Sequence, residues 1–351
     1  MADLAREAGV SASTASRALR DSPLISQETI AHVKQVAKQH AYRPHLGARN
    51  LRLKKCNIVV LILPFNYADS DILANPYIFK IIGTIGSALR EYGYDLLLSQ
   101  MDTISEQIDD RYIHAGIAAG AIILGRGDND PEKIRKLAET GIPFVILGPK
   151  LENQDYCSVG IDNRSSARMV VQHFAKLGRK HIAIVSDNRQ DRLSESYSRF
   201  QGYLQALKEL NIPFNPNLVA QSLHSGNSAY EAVRKLLHDA PEMDAIFVAT
   251  RDVVAISVIQ ALQQSGKQIP EDVAVIGFDN IDLCDFITPA LTSVSQRLQD
   301  GVATILVEKL IDQINGKDVE STMLEGSLVI RQSCGQADFN VLNGSSINQP
   351  Q

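Results

Sequence analysis

The sequence predicts an all-α helix-turn-helix head followed by a larger α/β body built as two lobes. Three observations carry this prediction. The first 44 residues contain three short amphipathic segments, two of them preceded by a helix-capping residue. The next stretch repeats one pattern, in which an amphipathic helix ends in glycine and leads into a short aliphatic strand. Because this stretch holds roughly ten strands, more than one sheet of an ordinary domain carries, two similar lobes are expected.

The segment DLAREAGVSASTASRAL is typical of two short helices joined by a tight turn. Gly9 supplies the positive φ that the turn needs, and the side-chain oxygen of Ser11 is placed to cap the second helix. A seam of small apolar side chains is expected to hold the helices together: Leu4, Ala5, Ala8, Val10, Ala15 and Leu19.

The outer face of the second helix is predicted to carry Ala12, Ser13 and Arg17. Such a helix fits the major groove of B-form DNA, which is ~12 Å wide, with its N-terminal residues against the base edges. Since Ala12 and Ser13 offer few hydrogen bonds, we expect Arg17 and contacts to phosphate to supply much of the affinity.

A third helix is predicted to begin after Ser26, and its apolar residues recur at helical spacing: Ile30, Val33, Val36 or Ala37, and Ala41. Pro44 ends this helix, because proline removes a backbone donor and disfavours helical geometry in the residue before it. Residues 45–55 are predicted as a hinge helix and linker that orders only against a partner, since so short a helix is marginal in water.

These elements set the expected domain boundaries. Residues 1–44 form the helix-turn-helix domain, residues 45–55 the hinge and linker, and residues 56–335 the two-lobed body. Residues 336–351 are a polar, flexible tail without leucine heptads, so no tetramerising coiled coil is expected.

Charge is unevenly distributed along the chain. Residues 1–55 hold ten Lys and Arg against four Asp and Glu, a net charge of +6, whereas the whole chain has a net charge of −5. An acidic body with a charge of −11 therefore follows a basic head. This asymmetry is typical of a protein whose one end meets a polyanion, and the alternative is an ordinary solvated charged helix.

Cysteine usage and hydropathy indicate a cytoplasmic protein with no membrane partner. The four cysteines have no short paired spacing, which argues against a disulfide scaffold, a zinc ribbon or a redox motif. The longest aliphatic run, Ile58–Leu63, is far shorter than the ~18 residues of a membrane span. Asp3, Arg6 and Glu7 interrupt any secretory hydrophobic segment at the N-terminus.

In the body, four helix-to-strand junctions carry a glycine, at Gly93, Gly141, Gly178 and Gly266. Glycine supplies the left-handed residue that ends a helix. The strands that follow are apolar on both faces and alternate with helices, which predicts parallel sheets covered on both sides.

Ligands of open parallel sheets bind beyond the carboxyl ends of the strands, where this sequence places polar side chains. They are Asp162, Ser186, Asp187, Thr250, Arg251 and Asp279. Carboxylates, hydroxyl groups and a guanidinium group suit a small polar solute, whose hydroxyl groups they can bracket. The alternative is that Asp162 and Asp279 only cap the helices that follow them.

Motifs of the main enzyme classes are absent from the sequence. No G-x-G-x-x-G opens a helix, and no Walker lysine motif, G-x-S-x-G elbow or H-E-x-x-H occurs. Asp162 and Asp279 could be drawn as an acid-base pair, but the sequence does not give their separation and no activated nucleophile accompanies them. We therefore expect no enzyme activity, no cofactor and no metal site; a dinucleotide-dependent oxidoreductase is the alternative, which nicotinamide binding would support.

The stretch AREAGVSASTASRAL, followed by YRP and then ARNL, resembles the lactose-repressor (LacI/GalR) family of bacterial transcription regulators. The resemblance implies a set of DNA-binding residues: Ala12, Ser13, Thr14, Arg17, Arg49 and Leu51. It also implies that residues 45–52 are a hinge helix, in which Leu51 is wedged between minor-groove base steps. For Leu51 the alternative is packing in a core or at the start of a strand.

The same resemblance extends over nearly the whole body, in blocks such as SVGIDNRSSA, SRFQGYLQAL, VAVIGFDNIDL and TPALTSVSQRL. It implies a periplasmic-binding-protein-like effector domain with two lobes and three crossover strands. The implied effector-binding residues are Tyr77, Asp162, Arg199 in an R-x-x-G turn, His224, Thr250, Asp279 and Gln296. Core packing is the alternative for Tyr77, and a surface position is the alternative for His224.

The chain departs from the family pattern at two places in this cleft. Thr250 and Arg251 stand where an asparagine–aspartate pair is usual, and Glu195 stands where a small hydroxyl residue is usual. A buried carboxylate at position 195 needs either a donor-rich ligand or a neighbouring cation, for which Arg192 and Arg251 are the candidates.

The resemblance implies a ligand-responsive, sequence-specific transcription regulator. It is expected to be a repressor of a carbohydrate-utilisation operon that binds double-stranded operator DNA as a homodimer. A sugar is the small-molecule effector that the cleft residues favour, and a purine or nucleoside is the alternative. A solute-binding receptor without a role on DNA is the alternative interpretation of the body, and the residues do not choose between inducer and corepressor.

Overall fold

The computed structural model of the chain describes residues 2–19, 21–40, 56–63, 76–100, 107–125, 131–151, 153–187, 194–222 and 226–335. The chain divides into two units, Met1–Cys56 and Asn57–Gln351. The predicted hinge at residues 45–55 and the predicted tail at residues 336–351 lie outside the described residues.

Three helices form the first unit, and the capping residues begin two of them. The helices are α1 (Ala2–Glu7), α2 (Ala12–Ala18) and α3 (Gln27–Gln39). Gly9 turns the chain between α1 and α2 with a φ of +62°, as predicted. Ser11 and Ser26 accept hydrogen bonds from the backbone N–H groups of Thr14 and Thr29 at 3.1 and 3.2 Å, which confirms both predicted caps.

The predicted seam of small residues is the core of the head. Its buried side chains are Leu4, Ala5, Ala8, Ala15, Ala18, Ile30, Val33, Val36 and Ala37. Val10 and Leu19 pack against this core and are only half-buried. Ala18 is fully buried and was missing from the predicted seam, whereas Ala41 lies outside the described residues.

Two six-stranded sheets form the second unit. The strands are β1 (Ile58–Leu63), β2 (Asp95–Gln100), β3 (Gly120–Leu124), β4 (Phe144–Leu147), β5 (Cys157–Ile161), β6 (Ile182–Ser186), β7 (Val219–Gln221), β8 (Ala245–Val248), β9 (Ala274–Asp279), β10 (Thr292–Ser295), β11 (Thr322–Leu324) and β12 (Ser327–Val329). The first sheet has the order β11-β5-β4-β3-β1-β2 and all its strands are parallel. The second sheet has the order β12-β10-β9-β8-β6-β7, and β12 is antiparallel to β10. We call the two sheets with their helices the first and second lobe.

Longer helices lie between many of the successive strands, both within a lobe and between the lobes. They are α4 (Pro76–Glu91), α5 (Pro131–Glu139), α6 (Asn163–Lys176), α7 (Glu195–Glu209), α8 (Gly226–Asp239), α9 (Asp252–Gln264) and α10 (Ala303–Ile314). Shorter helical turns lie at Asp109–His114, Pro216–Leu218, Asp282–Asp285, Leu298–Val302 and Gln332–Cys334. The four glycines predicted to end helices all have a positive φ, between 73° and 84°.

The chain passes between the lobes three times. It leaves the first lobe after β5 through α6 to β6, returns after β10 through α10 to β11, and passes once more from β11 to β12. The α/β class, the parallel strands and the two lobes follow the prediction, and the described strands number twelve instead of roughly ten. The strands β1, β3, β5, β6, β8 and β9 are buried along almost their whole length, because helices cover both faces of each sheet.

The first crossover is held by close contact between α6 and α7. A Cβ atom built on Gly202, in the middle of α7, would lie 2.1 Å from the backbone oxygen of Arg164 in α6. Only glycine lets the two helices approach this closely. The predicted R-x-x-G turn that begins at Arg199 is therefore wrong: these residues lie inside a helix, and the glycine serves helix packing and not a turn.

We predict that Gly202→Ala lowers the free energy of unfolding by about 1–3 kcal/mol, because the added methyl group overpacks a backbone contact. The matched control is Gly83→Ala in α4, where a Cβ atom would meet nothing within 4 Å. That control is expected to stabilise the protein slightly, since alanine is the better helix former. Urea denaturation of both variants checks this, and equal effects of the two substitutions would contradict it.

Among the described helices, none is both long and apolar enough to cross a membrane.

Candidate functional site

The outer face of α2 is exposed. Ala12, Ser13 and Arg17 are all exposed, whereas Thr14 is half-buried. The Ser11 hydroxyl group lies 2.8 Å from the hydroxyl groups of both Ser13 and Thr14, so the cap also orders the hydroxyl groups of the first turn. The second helix of the helix-turn-helix unit therefore presents its first turns to solvent, as entry into a major groove requires.

Arg17 differs from two other basic side chains of the head, Arg6 and Lys34, which are held in ion pairs. Arg6 forms an ion pair with Asp3 at 3.1 Å, and Lys34 forms one with Asp21 at 2.6 Å. Arg17 has no ion-pair partner in the described part of the head, so its guanidinium group is available to bases or phosphates.

Three of the predicted site residues lie outside the described residues. They are Arg49 and Leu51 of the hinge segment and His224 of the body.

A candidate ligand cleft lies at the carboxyl ends of the strands of the second lobe. There β6 lies between β7 and β8, so the strand order reverses and opens a crevice at this edge. Ser186 is the last residue of β6, and Thr250 follows β8. Their hydroxyl oxygens are buried and have no hydrogen-bond partner in the described part of the chain. Buried hydroxyl groups of this kind indicate a place for a water molecule or a ligand.

Arg199, on α7, is buried and forms hydrogen bonds to neighbouring elements at this edge of the sheet. Its Nε–H donates to Asn163 Oδ1 at 2.7 Å, and its Nη1 donates to the backbone oxygens of Ala249 and Thr250 at 3.0 and 2.9 Å. Its Nη2 donates to Glu195 at 3.2 Å. Most of the five N–H groups of Arg199 are thus used inside the protein, and few remain for a ligand.

The Arg199 guanidinium group also stacks on an aromatic ring. Its central carbon lies 3.6 Å from the centre of the Phe278 ring, in the strand β9. Arg199 therefore connects α7, the start of α6, the end of β8 and the side chains of β9.

Asp279 ends β9 in an unusual backbone conformation. Its φ is +112°, which side chains other than glycine rarely adopt and which costs about 1–3 kcal/mol. The side chain is buried, and its Oδ1 accepts a hydrogen bond from Gln296 Nε2 at 2.7 Å. Burial raises the pKa of Asp279 well above its ordinary value, and the nearby carboxyl group of Asp252 adds to the rise.

The alternative that Asp162 and Asp279 are helix caps holds for Asp162 and not for Asp279. Asp162 Oδ1 accepts from the backbone N–H groups of Arg164 and Ser165, both at 3.0 Å, and so caps α6. The turn that follows Asp279 begins after Ile281, which makes no side-chain cap. Asp279 is therefore the carboxyl group of the two that is open to a role in ligand binding.

Asp252 is a positioning residue that the sequence analysis missed. It is fully buried at the start of α9, where it accepts from the backbone N–H of Ile281 at 3.0 Å and from the hydroxyl group of Ser293 at 2.7 Å. It also accepts from the Cys284 thiol at 3.3 Å. These bonds hold the segment just after Asp279. Its signal in the sequence is its place directly after Arg251, one residue beyond the polar residues that follow the strand.

We predict that Asp279→Asn changes how stability depends on pH. Burial raises the pKa of Asp279 to about 8, so folding takes up a proton between the unfolded pKa of about 4 and that value. The wild type should therefore lose stability relative to Asp279→Asn as the pH rises through this interval, by up to about 1.4 kcal/mol per pH unit. Urea denaturation at several pH values checks this. Asp318→Asn, at an exposed position, is the control, and parallel curves for wild type and Asp279→Asn would contradict the prediction.

Glu195 does not have the surroundings that the sequence analysis expected. Its side chain is 41% exposed and not buried, because α7 begins there at the rim of the cleft. Its ion-pair partner is Arg199, four residues further along the helix, at 3.2 Å, and its charge also acts on Arg251. Arg192, the other candidate, lies outside the described residues.

Tyr77, at the start of α4 in the first lobe, faces the second lobe. It packs against the hydrophobic clusters of both lobes and is half-buried, so the core-packing alternative holds in part. Burial raises the pKa of its phenol group well above the ordinary value, and the nearby Asp279 and Glu195 act in the same direction. The phenol group therefore lies across the cleft from these carboxyl groups.

An ion pair also joins the two lobes. Lys80 on α4 donates to Asp282 in the turn after β9, at 2.8 Å. The two residues are 202 positions apart in the sequence. No group of three or more metal-binding side chains is present among the described residues.

Comparison with known proteins identifies both units. Residues 1–45 match the model of the bacterial regulatory proteins of the lacI family, and residues 171–334 match the periplasmic binding protein-like domain. The HTH-type transcriptional regulator CelR of Thermobifida fusca is 30% identical over 331 residues, which are 93% of this chain and 95% of that protein.

Two solved structures show the same architecture. The transcriptional regulator CelR in complex with cellobiose has a TM-score of 0.70 at 29% identity, and the match covers 94% of this chain and 98% of that one. The lac repressor dimer bound to its operator has a TM-score of 0.80 at 22% identity, over 95% and 98% of the two chains, and shows the shared fold alone. The chain belongs to the lacI family of bacterial regulatory proteins and is a transcription regulator.

Proposed function

We propose that this regulator is a ligand-responsive repressor that binds a specific, pseudo-palindromic operator as a homodimer in the cytoplasm. The observation that carries the proposal is the exposed outer face of α2, with Arg17 available on it, in a chain that also holds a polar interlobe cleft. The proposed DNA-binding residues are Ala12, Ser13, Thr14, Arg17, Arg49 and Leu51. Residues 1–44 are proposed as the DNA-binding domain and 45–55 as its hinge.

A sugar is the effector that we propose. Carboxyl groups, an amide group and a phenol group surround the cleft and suit the hydroxyl groups of a carbohydrate. The related regulator CelR has been solved with cellobiose, which supports this choice. The proposed effector-binding residues are Tyr77, Asp162, Arg199, His224, Thr250, Asp279 and Gln296, with Arg199 and Asp162 acting mainly through the backbone that they hold.

The effector acts by favouring one arrangement of the two lobes. Only a difference in its affinity for the two arrangements can change operator affinity. In this mechanism the short hinge at residues 45–55 is ordered on DNA in one arrangement and released in the other. An inducer and a corepressor would act on the same equilibrium in opposite directions.

We predict that the interlobe ion pair contributes to this equilibrium. Asp282→Lys places two cations together across the cleft and should weaken effector binding about 2–5-fold, the effect of a largely exposed ion pair. The double variant Lys80→Asp/Asp282→Lys restores the attraction and should restore the affinity. Calorimetry with the effector measures both, and Asp312→Lys, which breaks an ion pair with Lys317 next to α10, is the control. A double variant no better than Asp282→Lys would contradict the prediction.

Exposed apolar side chains support the homodimer. Phe286 is 81% exposed and Phe79 is 62% exposed, and both lie within four residues of the interlobe ion pair in the sequence. Side chains of this size at such exposure favour burial by a second copy of the chain. A dimeric helix-turn-helix protein then contacts two half-sites about one helical turn of DNA apart. A tetramer in sedimentation velocity would contradict this part of the proposal.

Selection of DNA from a random duplex pool tests the proposed function. The full chain should enrich one sequence with two inverted half-sites, and the affinity for that duplex should fall steeply with salt. Selection is repeated in the presence of a panel of sugars, so that a regulator that needs a bound corepressor in order to bind DNA is also detected. A pool without enrichment under every condition would contradict the proposal.

A further inference from the structure

The described side chains of the cleft include more carboxyl groups than cationic groups. Arg251 follows β8 and is half-buried, and burial lowers the pKa of its guanidinium group. The negative charges of Asp279, Asp187 and Glu195 oppose that shift, so the charges of three carboxyl groups act on this one side chain. A second guanidinium group, that of Arg199, also lies close to Arg251.

The guanidinium group of Arg199 is already used in contacts within the protein. Its Nη2 pairs with Glu195, its other bonds go to one side-chain amide and two backbone oxygens, and its face covers the Phe278 ring. Among the described residues of the cleft, Arg251 is therefore the cation whose side chain is not used up in this way, and the charges of Asp187 and Asp279 act on it. Lys80, at the cleft rim, is paired with Asp282.

Among these described side chains there is no surplus positive charge for an anion. With all three carboxyl groups ionised, the five side chains Arg251, Arg199, Asp187, Asp279 and Glu195 together carry a net charge of −1. If the high pKa of Asp279 keeps it protonated, the charge is zero. In neither state do these five side chains offer an anionic ligand an uncompensated cation, whereas the hydroxyl groups of a neutral ligand can donate to each carboxylate.

Glu195 is the residue whose charge decides whether the carboxyl groups outnumber the cations. Its side chain is 41% exposed at the cleft rim, only one of its oxygens is needed to reach Arg199, and its charge acts on Tyr77 across the cleft. An uncharged side chain at this position would remove one negative charge and make the net charge of these side chains one unit more positive.

We propose that the cleft selects an uncharged, hydroxyl-rich ligand and rejects the phosphate ester and the uronic acid of the same ring, with Glu195 as the specificity-determining residue. The inference rests on the proposed effector cleft and states which chemical class of ligand that cleft accepts. Repulsion from the cleft carboxylates weakens the binding of an anionic ligand much more than that of its neutral counterpart. We therefore expect the Kd values of the two to differ by at least about 10-fold.

A matched ligand panel tests this on the full chain. It contains neutral mono- and disaccharides, each with its phosphate ester and its uronic acid, and nucleosides with their monophosphates. Thermal shift finds the members that bind, and calorimetry gives their Kd values. The wild type should bind neutral members only. Glu195→Gln should narrow the gap between a neutral ligand and its anionic counterpart by at least about 10-fold, and Glu195→Ser should act in the same direction. Glu209→Gln, at the other end of α7, is the control and should keep the wild-type preference.

The outcomes separate this inference from the function that it extends. Tight binding of a sugar phosphate or uronate by the wild type would overturn the charge selection, while a ligand-responsive regulator would stand. Binding of a neutral nucleoside but not of its monophosphate would replace the sugar and uphold the charge selection. A protein that binds its operator but no member of the panel would overturn both the sugar effector and the inference. If wild type, Glu195→Gln and Glu195→Ser prefer neutral over anionic ligands to the same extent, Glu195 does not determine this specificity.

Discussion

Arg199→Ala is expected to lower the free energy of unfolding by about 3–5 kcal/mol and to abolish the effector response. Arg199 is only 4% exposed, and its removal leaves Asn163 Oδ1 and the backbone oxygens of Ala249 and Thr250 without their donor. Loss of one partner from a buried charged network is costly because the groups left behind stay buried without hydrogen bonds. Urea denaturation gives the stability, and calorimetry with the effector gives the binding.

The matched control for this variant lies on the neighbouring helix. Arg168, on α6, forms an ion pair with Glu209 at 2.6 Å on the surface, and Arg168→Ala should leave the denaturation midpoint almost unchanged. Arg199→Lys keeps the charge but cannot reproduce the planar donor set, so it should lie between wild type and Arg199→Ala. An Arg199→Ala protein as stable as Arg168→Ala would refute the role assigned to this residue.

Arg17→Ala is expected to weaken operator binding by about 10–100-fold, corresponding to about 1–3 kcal/mol. Arg17 is exposed on α2 and has no ion-pair partner in the described part of the head, so its guanidinium group is free to contact base edges or phosphates. Fluorescence anisotropy with the selected duplex and with a scrambled duplex measures the change. A base contact lowers operator affinity more than scrambled-duplex affinity, which separates it from a phosphate contact.

The head also offers a matched control for this prediction. Arg6 is exposed on α1 and is paired with Asp3 at 3.1 Å, so Arg6→Ala should change operator affinity far less. Equal losses for Arg6→Ala and Arg17→Ala would indicate a general electrostatic effect and would remove Arg17 from the recognition surface.

The head was predictable because its determinants are local. Ser11 and Ser26 each cap a helix through a residue three positions further on, and Gly9 turns the chain within a few residues. Burial of Ala18 was missed because it depends on how α2 packs within the three-helix core, which sequence spacing does not specify. The glycines that end the helices of the body are local signals of the same kind, and they predicted the α/β alternation.

Residues that act through long-range contacts were not predictable in the same way. Asp252 holds groups about 30 to 40 positions away, and Asn163 meets Arg199 only because α6 and α7 pack closely. The R-x-x-G segment was misinterpreted as a turn because the need for Gly202 comes from the backbone of another helix. Glu195 was expected to be buried, and its position at the cleft rim depends on where α7 begins.

The most direct test of the central claim is the operator affinity of the wild-type chain with and without the ligand that binds the cleft. Anisotropy titrations with the selected duplex at fixed salt should give Kd values that differ by at least about 5-fold, the scale of typical coupling between two sites. The ligand affinity of the operator-bound protein should change by the same factor, because linkage is reciprocal. Operator affinity that stays the same while the cleft is saturated would contradict the account.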